Sequence, residues 1–207
     1  MLVKTVMTTA ALAREVSVVL YPGCIFFEIA LALEQLSDHY VVRFYTPEGE
    51  PHKSSQGFEL QVDGDYAALA KAETVAVLVP GGDSRGVLTS GSLIVEALHK
   101  QMQRSVLMAG ICAGNLVLAY AGVLKGRHAT HNYTQEHAHT DKVEAAARYW
   151  KGSFFERANI VIDDNVITAQ PWAYRDYAAA IAVYLELMPA TVGEALATYT
   201  ERRRYLE

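Results

Sequence analysis

The chain has 207 residues, 51% of them hydrophobic and 20% charged, with a net charge of −5 and two cysteines. Such a length and composition suit one well-packed globular domain. The acidic balance, with no long run of Lys or Arg, excludes a nucleic-acid surface, and two cysteines exclude a disulfide framework and fit a reducing, cytoplasmic compartment. No stretch reaches the roughly 18 uninterrupted apolar residues of a membrane span. Residues 1–15 lack a signal-peptide core and are expected to form an amino-terminal extension to a single domain over 16–207.

Residues 16–21 predict a first strand, rich in β-branched side chains and closed by Pro22-Gly23. A helix over 24–36 is expected next. Phe26, Phe27, Ile29, Ala30, Leu31, Leu33 and Leu36 leave it almost no polar face, so burial on most sides is expected, in part against another subunit. Glu28 stands in its first turn, either facing water or held inside with a raised pKa and a partner. Residues 41–46 predict a strand, 54–62 an irregular hairpin or edge segment, and 66–71 a short helix. A central strand over 74–79 runs into Pro80-Gly81-Gly82-Asp83. From Ser92 a helix follows, with Leu93, Ile94, Ala97, Leu98 and Met102 on one face.

A strand at 106–109 then meets Gly110-Ile111-Cys112-Ala113-Gly114-Asn115, and residues 116–121 read as a buried helix stopped by Gly122. A small-x-Cys-x-Gly pattern between strand and helix is a nucleophile elbow with sulfur in place of serine. The helix amino terminus aims N–H groups and a dipole at Cys112, so thiolate is expected over thiol. Beyond Gly126, residues 127–130 suggest a short strand ending at the same rim, and 141–150 a helix. Residues 157–162 and 166–169 suggest a hairpin turning at Asp163-Asp164-Asn165. Pro171 is expected to open a helix running to 187. Thr191-Val192-Gly193-Glu194 reads as a capping box for a last helix towards Tyr205, with Arg202, Arg203 and Arg204 on a solvated face.

Alternating strands and helices at this spacing imply an α/β fold with a mainly parallel sheet and helices on both faces. Ligands in such sheets sit beyond the carboxyl ends of the strands. Three of those ends deliver Glu28, Gly81-Gly82 and Cys112 to one edge. Cys112 is the candidate nucleophile. A protonated Glu28 could donate a hydrogen bond to its thiolate and relay protons. His131 is either the base for that cysteine or a hydrogen-bonded loop histidine. The N–H groups of Ala113 and Gly82 are candidate oxyanion donors. Cys24 sits near the same edge, where filling the core is its simplest role. His131, His137 and His139 share no helix face and have no cysteine or carboxylate at a zinc spacing, so no metal is expected.

Tyr21-Pro22-Gly23 with Glu28, Val79-Pro80-Gly81-Gly82, Gly110-Ile111-Cys112-Ala113-Gly114 and Ala129-Thr130-His131, in that order, resemble the ThiJ/PfpI superfamily. The resemblance covers roughly residues 16–187. It implies a flavodoxin-like three-layer sandwich related to class I glutamine amidotransferases, no cofactor, and a homodimer or larger homo-oligomer. It implies a readily oxidised Cys112 partnered by Glu28, with Ala113 and Gly82 at the oxyanion positions and His131 at the histidine of the deglycase branch. Ala113 stands where the protease branch carries histidine, and Glu28 where isocyanide hydratases carry aspartate. The best match is therefore the deglycase or glyoxalase-like branch. Gly81 and Trp172, with Tyr174 nearby, are candidate contacts for a small substrate. A redox sensor or stress-related chaperone using Cys112 is the alternative from another class, with isocyanide hydratase, amidase or peptidase activity further off.

Overall fold

The order in which the strands lie side by side brings distant parts of the chain together at one edge. In a computed structural model, which describes residues 14–198, seven strands form one sheet. Strand β1 (Glu15–Val19) is central and pairs in parallel with β2 (Val41–Thr46) on one side and β4 (Thr74–Val79) on the other. The two-residue β3 (Gly64–Asp65) extends the sheet beyond β2. Beyond β4 come β5 (Leu107–Ile111) and β9 (Val166–Ala169), both parallel, and then the antiparallel edge strand β8 (Ile160–Asp163). The β8–β9 hairpin turns at Asp163-Asp164-Asn165 with Asp164 at φ 53°, as the turn residues there predict.

Helix α1 (Phe27–Leu36) joins β1 to β2, and α3 (Leu93–Gln103) joins β4 to β5 in the opposite direction across the sheet. Right-handed crossovers running in opposite directions put these helices on opposite faces. α1 packs on α6 (Tyr174–Tyr184), which carries α7 (Ala190–Ala197). α3 packs on the short α2 (Tyr66–Leu69), and α4 (Gly114–Tyr120) covers β4 and β5. A small separate pair, β6 (His128–Ala129) with β7 (Phe154–Phe155), flanks α5 (Thr140–Ala147) in sequence. Among the described residues no helix is long and apolar enough to cross a membrane.

The reversal of strand order lies between β1 and β4, the place where open α/β sheets bind ligands. Three buried phenols tie this region together. Tyr21 donates to the Pro80 carbonyl at 2.7 Å, Tyr66 to the Leu20 carbonyl at 2.7 Å and Tyr177 to the Ala109 carbonyl at 2.8 Å. Burial raises the pKa of all three, so they remain protonated donors. Tyr21→Phe is expected to lower stability by about 1–2 kcal/mol, because the Pro80 carbonyl would stay buried without this donor. A shifted denaturant midpoint at unchanged slope would show it.

Several elements differ from the sequence reading. α1 begins at Phe27 because Cys24 is drawn into a bridge with Gly82, its N–H bonded to the Tyr21 carbonyl at 3.0 Å. Within one chain this helix keeps Phe27, Ala30 and Glu34 exposed, the face left for the expected contact with another subunit. On α3, Leu93 is exposed while Gln101 is fully buried, its amide donating to the Leu69 and Ala72 carbonyls at 2.6 and 2.9 Å. Those carbonyls lie at and just beyond the end of α2, and Gln101 bonds both, so a polar residue takes a core position. α6 starts at Tyr174 because Pro171 and Trp172 are held in a turn closed by Ala173 N–H to Gln170 O at 2.9 Å. α7 starts after Pro189, which puts Thr191 inside the helix with no side-chain cap and overturns the capping-box reading. Of the expected extension over 1–15, Glu15 already opens β1, and residues 1–13, the run to Tyr205 and Arg202–Arg204 lie outside the described residues.

Candidate active site

Cys112 follows directly on β5. Its φ of 58° is a conformation that costs a non-glycine residue energy and marks a sharp strand-to-helix bend. The bend is braced from below, since Cys112 N–H donates to the Ala169 carbonyl at 3.0 Å and its carbonyl accepts from Asn115 N–H at 3.2 Å. Gly114 must be glycine, because a Cβ there would fall on the Val79 carbonyl. Absence of that atom lets the first turn of α4 sit directly on the end of β4.

Register explains why Gly81 faces the sulfur. Val79 of β4 pairs with Gly110 of β5, so Gly81 and Cys112, each two residues further on, reach the same height. A Cβ on Gly81 would lie 2.5 Å from Glu28 Oε2, 2.6 Å from Cys112 Cβ and 2.7 Å from Cys112 Sγ. The missing side chain is thus the space in which the carboxyl and the thiol meet, and the two are hydrogen-bond partners. Gly81 N–H donates to Glu28 Oε2 at 2.7 Å. The carboxyl belongs to the first turn of α1 and is 3% exposed. Of the two options open from sequence, the inward one is realised.

Burial pushes the Glu28 carboxyl up to about 7, against the pull of the Gly81 N–H and the Cys112 thiol. Burial also pushes the Cys112 thiol up to about 12, with the Glu28 charge and hydrogen bond adding to it, while the N–H groups of Ala113 and Gly82 pull it down. Both shifts have one origin: an enclosed site that resists holding two negative charges. The pair gives up a first proton near neutrality and keeps the second. This corrects the expectation of an acidic thiol. The amino terminus of α4 and two N–H donors do act on the sulfur, but desolvation and the adjacent carboxyl outweigh them.

His131 is buried, its ring stacked on Trp150 with centroids 3.9 Å apart and packed 4.7 Å from Phe155. Tyr133 N–H donates to His131 Nδ1 at 3.2 Å, which leaves the ring proton on Nε2. Burial lowers its pKa to about 4, so the ring is neutral at physiological pH. The short strand expected before it does form, but pairs with β7 rather than with the main sheet. Asn115 donates to the Thr130 and Ala169 carbonyls, and Gln170 to Thr130 Oγ1 and the His131 carbonyl, which ties this segment to the rim.

Cys24 is buried beside the same site, its thiol raised by burial and by the Glu28 charge. Trp172 is half exposed, donates to Asn159 Oδ1 at 2.9 Å and packs edge-on to His137. It lines a cavity of about 350 Å³ with Phe155, Arg157 and Gln170. Gly82, by contrast, opens on a larger cleft of about 760 Å³ walled by Ser84, Leu116, Tyr133 and residues of α5. Tyr174 turns to Phe27 on α1, with ring centroids 4.9 Å apart. Tyr21, quoted from sequence only within its motif, and Tyr133, missed altogether, both lie within the electrostatic reach of Cys112. The position of Tyr133, two residues past His131, is the only signal that could have found it.

The model of the DJ-1/PfpI family matches residues 14–183. A DJ-1 superfamily protein from Agrobacterium tumefaciens superposes with a TM-score of 0.75 at 24% identity, covering 92% of this chain and 99% of that one. A glutathione-independent glyoxalase from Caenorhabditis elegans is 29% identical over 138 residues, 66% of this chain and 69% of its own length. A deglycase from Thermococcus kodakarensis is 28% identical over 114 residues, 55% of this chain and 63% of its own. The chain spans between 53% and 63% of the length of the first curated relatives it matches.

Proposed function

Because the chain belongs to the DJ-1/PfpI family, we propose that it is a cysteine enzyme converting a small 2-oxoaldehyde such as methylglyoxal to the 2-hydroxy acid, without a cofactor. The observation that carries this reading is the Cys112–Glu28 pair, enclosed around the vacant side of Gly81. Relatives named as a glyoxalase and a deglycase support the substrate class.

In this reading the sulfur adds to the aldehyde carbon. A C–S bond forms, the proton held by the pair passes to the new hydroxyl, and the Ala113 and Gly82 N–H groups stabilise the oxygen meanwhile. Glu28 then removes the proton from that carbon and returns it to the neighbouring carbonyl carbon, as the hydroxyl proton moves to the second oxygen. The product is a thioester. Water cleaves it, releasing the hydroxy acid and restoring the thiol, with no net gain or loss of electrons. With Nδ1 of His131 already accepting a hydrogen bond, the proton-accepting role falls to Glu28, and His131 offers an Nε2–H donor.

A raised thiol pKa disfavours rapid reaction with peroxide, which sets the redox-sensor alternative second. A homodimer and a cytoplasmic location belong to the same reading. Exposed Phe27, packed on Tyr174, offers an apolar contact to a second copy.

Incubation of the reduced protein with methylglyoxal, without glutathione, is expected to yield lactate. The rate should rise as pH passes through about 7, where Glu28 becomes able to accept a proton. Absence of lactate from protein whose Cys112 titrates as free thiol would end this assignment.

A further inference from the structure

Tyr133 lines the open cleft beside Gly82 and feels the charge of Cys112. Its ring packs 5.8 Å from Trp150 and 6.5 Å from His131, centroid to centroid, and its own N–H fixes His131 Nδ1. The phenol is therefore held from behind by the aromatic group that also holds His131. In front, Tyr133 shares the cleft wall with Gly82 and Ser84. Its hydroxyl lies within the electrostatic reach of Cys112 and is hydrogen-bonded to the buried Ser84 hydroxyl. Two hydroxyls hold two hydrogens and use one between them, so the pair keeps one to offer a third group. Burial pushes this phenol up to about 12, so the hydrogen stays in place across the working range.

We propose that Tyr133 donates its hydrogen bond to the second oxygen of a vicinal dicarbonyl bound at Cys112, and so makes the site select 2-oxoaldehydes over carbonyl compounds without that oxygen. This rests on the glyoxalase-like reading above and extends it. The N–H groups of Ala113 and Gly82 face the sulfur and suit the oxygen on the attacked carbon. When Glu28 withdraws the proton from that carbon, charge develops on the neighbouring oxygen, which needs a donor of its own. Tyr133 lies on the Gly82 side of the sulfur, where that second oxygen would project into the cleft.

Tyr133→Phe keeps the ring and removes the donor. For methylglyoxal, kcat/KM is expected to fall about 10-fold, mostly in kcat, as for one hydrogen bond made in the transition state. A second readout needs no turnover. Cys112 is alkylated with chloroacetone, in which sulfur displaces chloride from the carbon next to a carbonyl, and with allyl chloride, which has no carbonyl. The variant should react about 10-fold more slowly with chloroacetone and within about twofold of the parent with allyl chloride. Equal slowing with both reagents would mean that Tyr133 acts on the thiol alone, and no slowing with either would mean that it contacts neither group. Each result overturns the proposal. A parent protein that makes no lactate yet shows the chloroacetone-specific loss would sink the glyoxalase reading while leaving the role of Tyr133 in place.

Discussion

With Cys112 replaced by serine, lactate formation from methylglyoxal is expected to fall by at least about 10³-fold, with the melting temperature nearly unchanged. The fold should tolerate the change, because serine is no larger and accepts the φ of 58° as readily as cysteine. Chemistry is what suffers. A serine hydroxyl is far less acidic than a thiol, so a carboxyl titrating near 7 can no longer take its proton as it attacks. The N–H groups of Ala113 and Gly82 would still point at the oxygen, so binding of the aldehyde should survive better than turnover. Lactate measured under saturating methylglyoxal, beside a thermal melt of each protein, makes the comparison. Activity within tenfold of the parent would remove Cys112 from the mechanism.

Glu28→Gln and His131→Phe are expected to give stability–pH profiles of opposite slope, each masked in the parent by the other. Glu28 titrates at about 7 when folded against 4.5 ordinarily. A raised folded pKa means that its contribution is complete below 4.5 and lost as pH rises through 7, a loss of roughly 3 kcal/mol for this enclosed carboxyl. His131 is shifted the other way, from 6.5 to about 4. Its contribution is complete above 6.5 and lost as pH falls through 4, again by roughly 3 kcal/mol. The windows overlap between 4.5 and 6.5, where the slopes cancel and the parent should be nearly flat. Removing Glu28 should leave stability rising with pH there by about 1.4 kcal/mol per unit, and removing His131 should leave it falling by a similar amount. Urea unfolding at several pH values would measure both slopes. Parallel profiles for the parent and Glu28→Gln would mean that Glu28 ionises freely in the folded state.

The rim was legible because it depends on chain order and small residues. Strands bounded by Pro22-Gly23, Pro80-Gly81 and Gly110 announce where the parallel sheet ends, and ends of one sheet meet on one side. Cys112, Gly81, Gly82 and Glu28 therefore fall together by topology alone. Proton affinity was not legible. The helix terminus at Cys112 can be read from sequence, whereas the burial that outweighs it, and the Glu28 carboxyl that adds to it, come together only in the fold. Side chains on irregular segments were equally opaque, as Tyr133 and Trp172 show, since no periodicity states which way a loop residue turns. Gln101 illustrates a third kind of failure. An apolar stripe was read along α3, but the Gln101 amide also packs inward, bonding the Leu69 and Ala72 carbonyls at the end of α2.

Glu28 leaves the ribosome long before Cys112, and neither alters the other until α1 and the β5 bend dock on the same glycine. In a nascent or refolding chain the sulfhydryl therefore has its ordinary acidity and is fully open to solvent, so it reacts as any loose cysteine would. Closing of the switch point lowers that reactivity, because burial and the Glu28 charge raise the thiol pKa. A thiol-specific dye added at intervals during refolding would thus clock the closing of this rim through its two cysteines, Cys24 and Cys112.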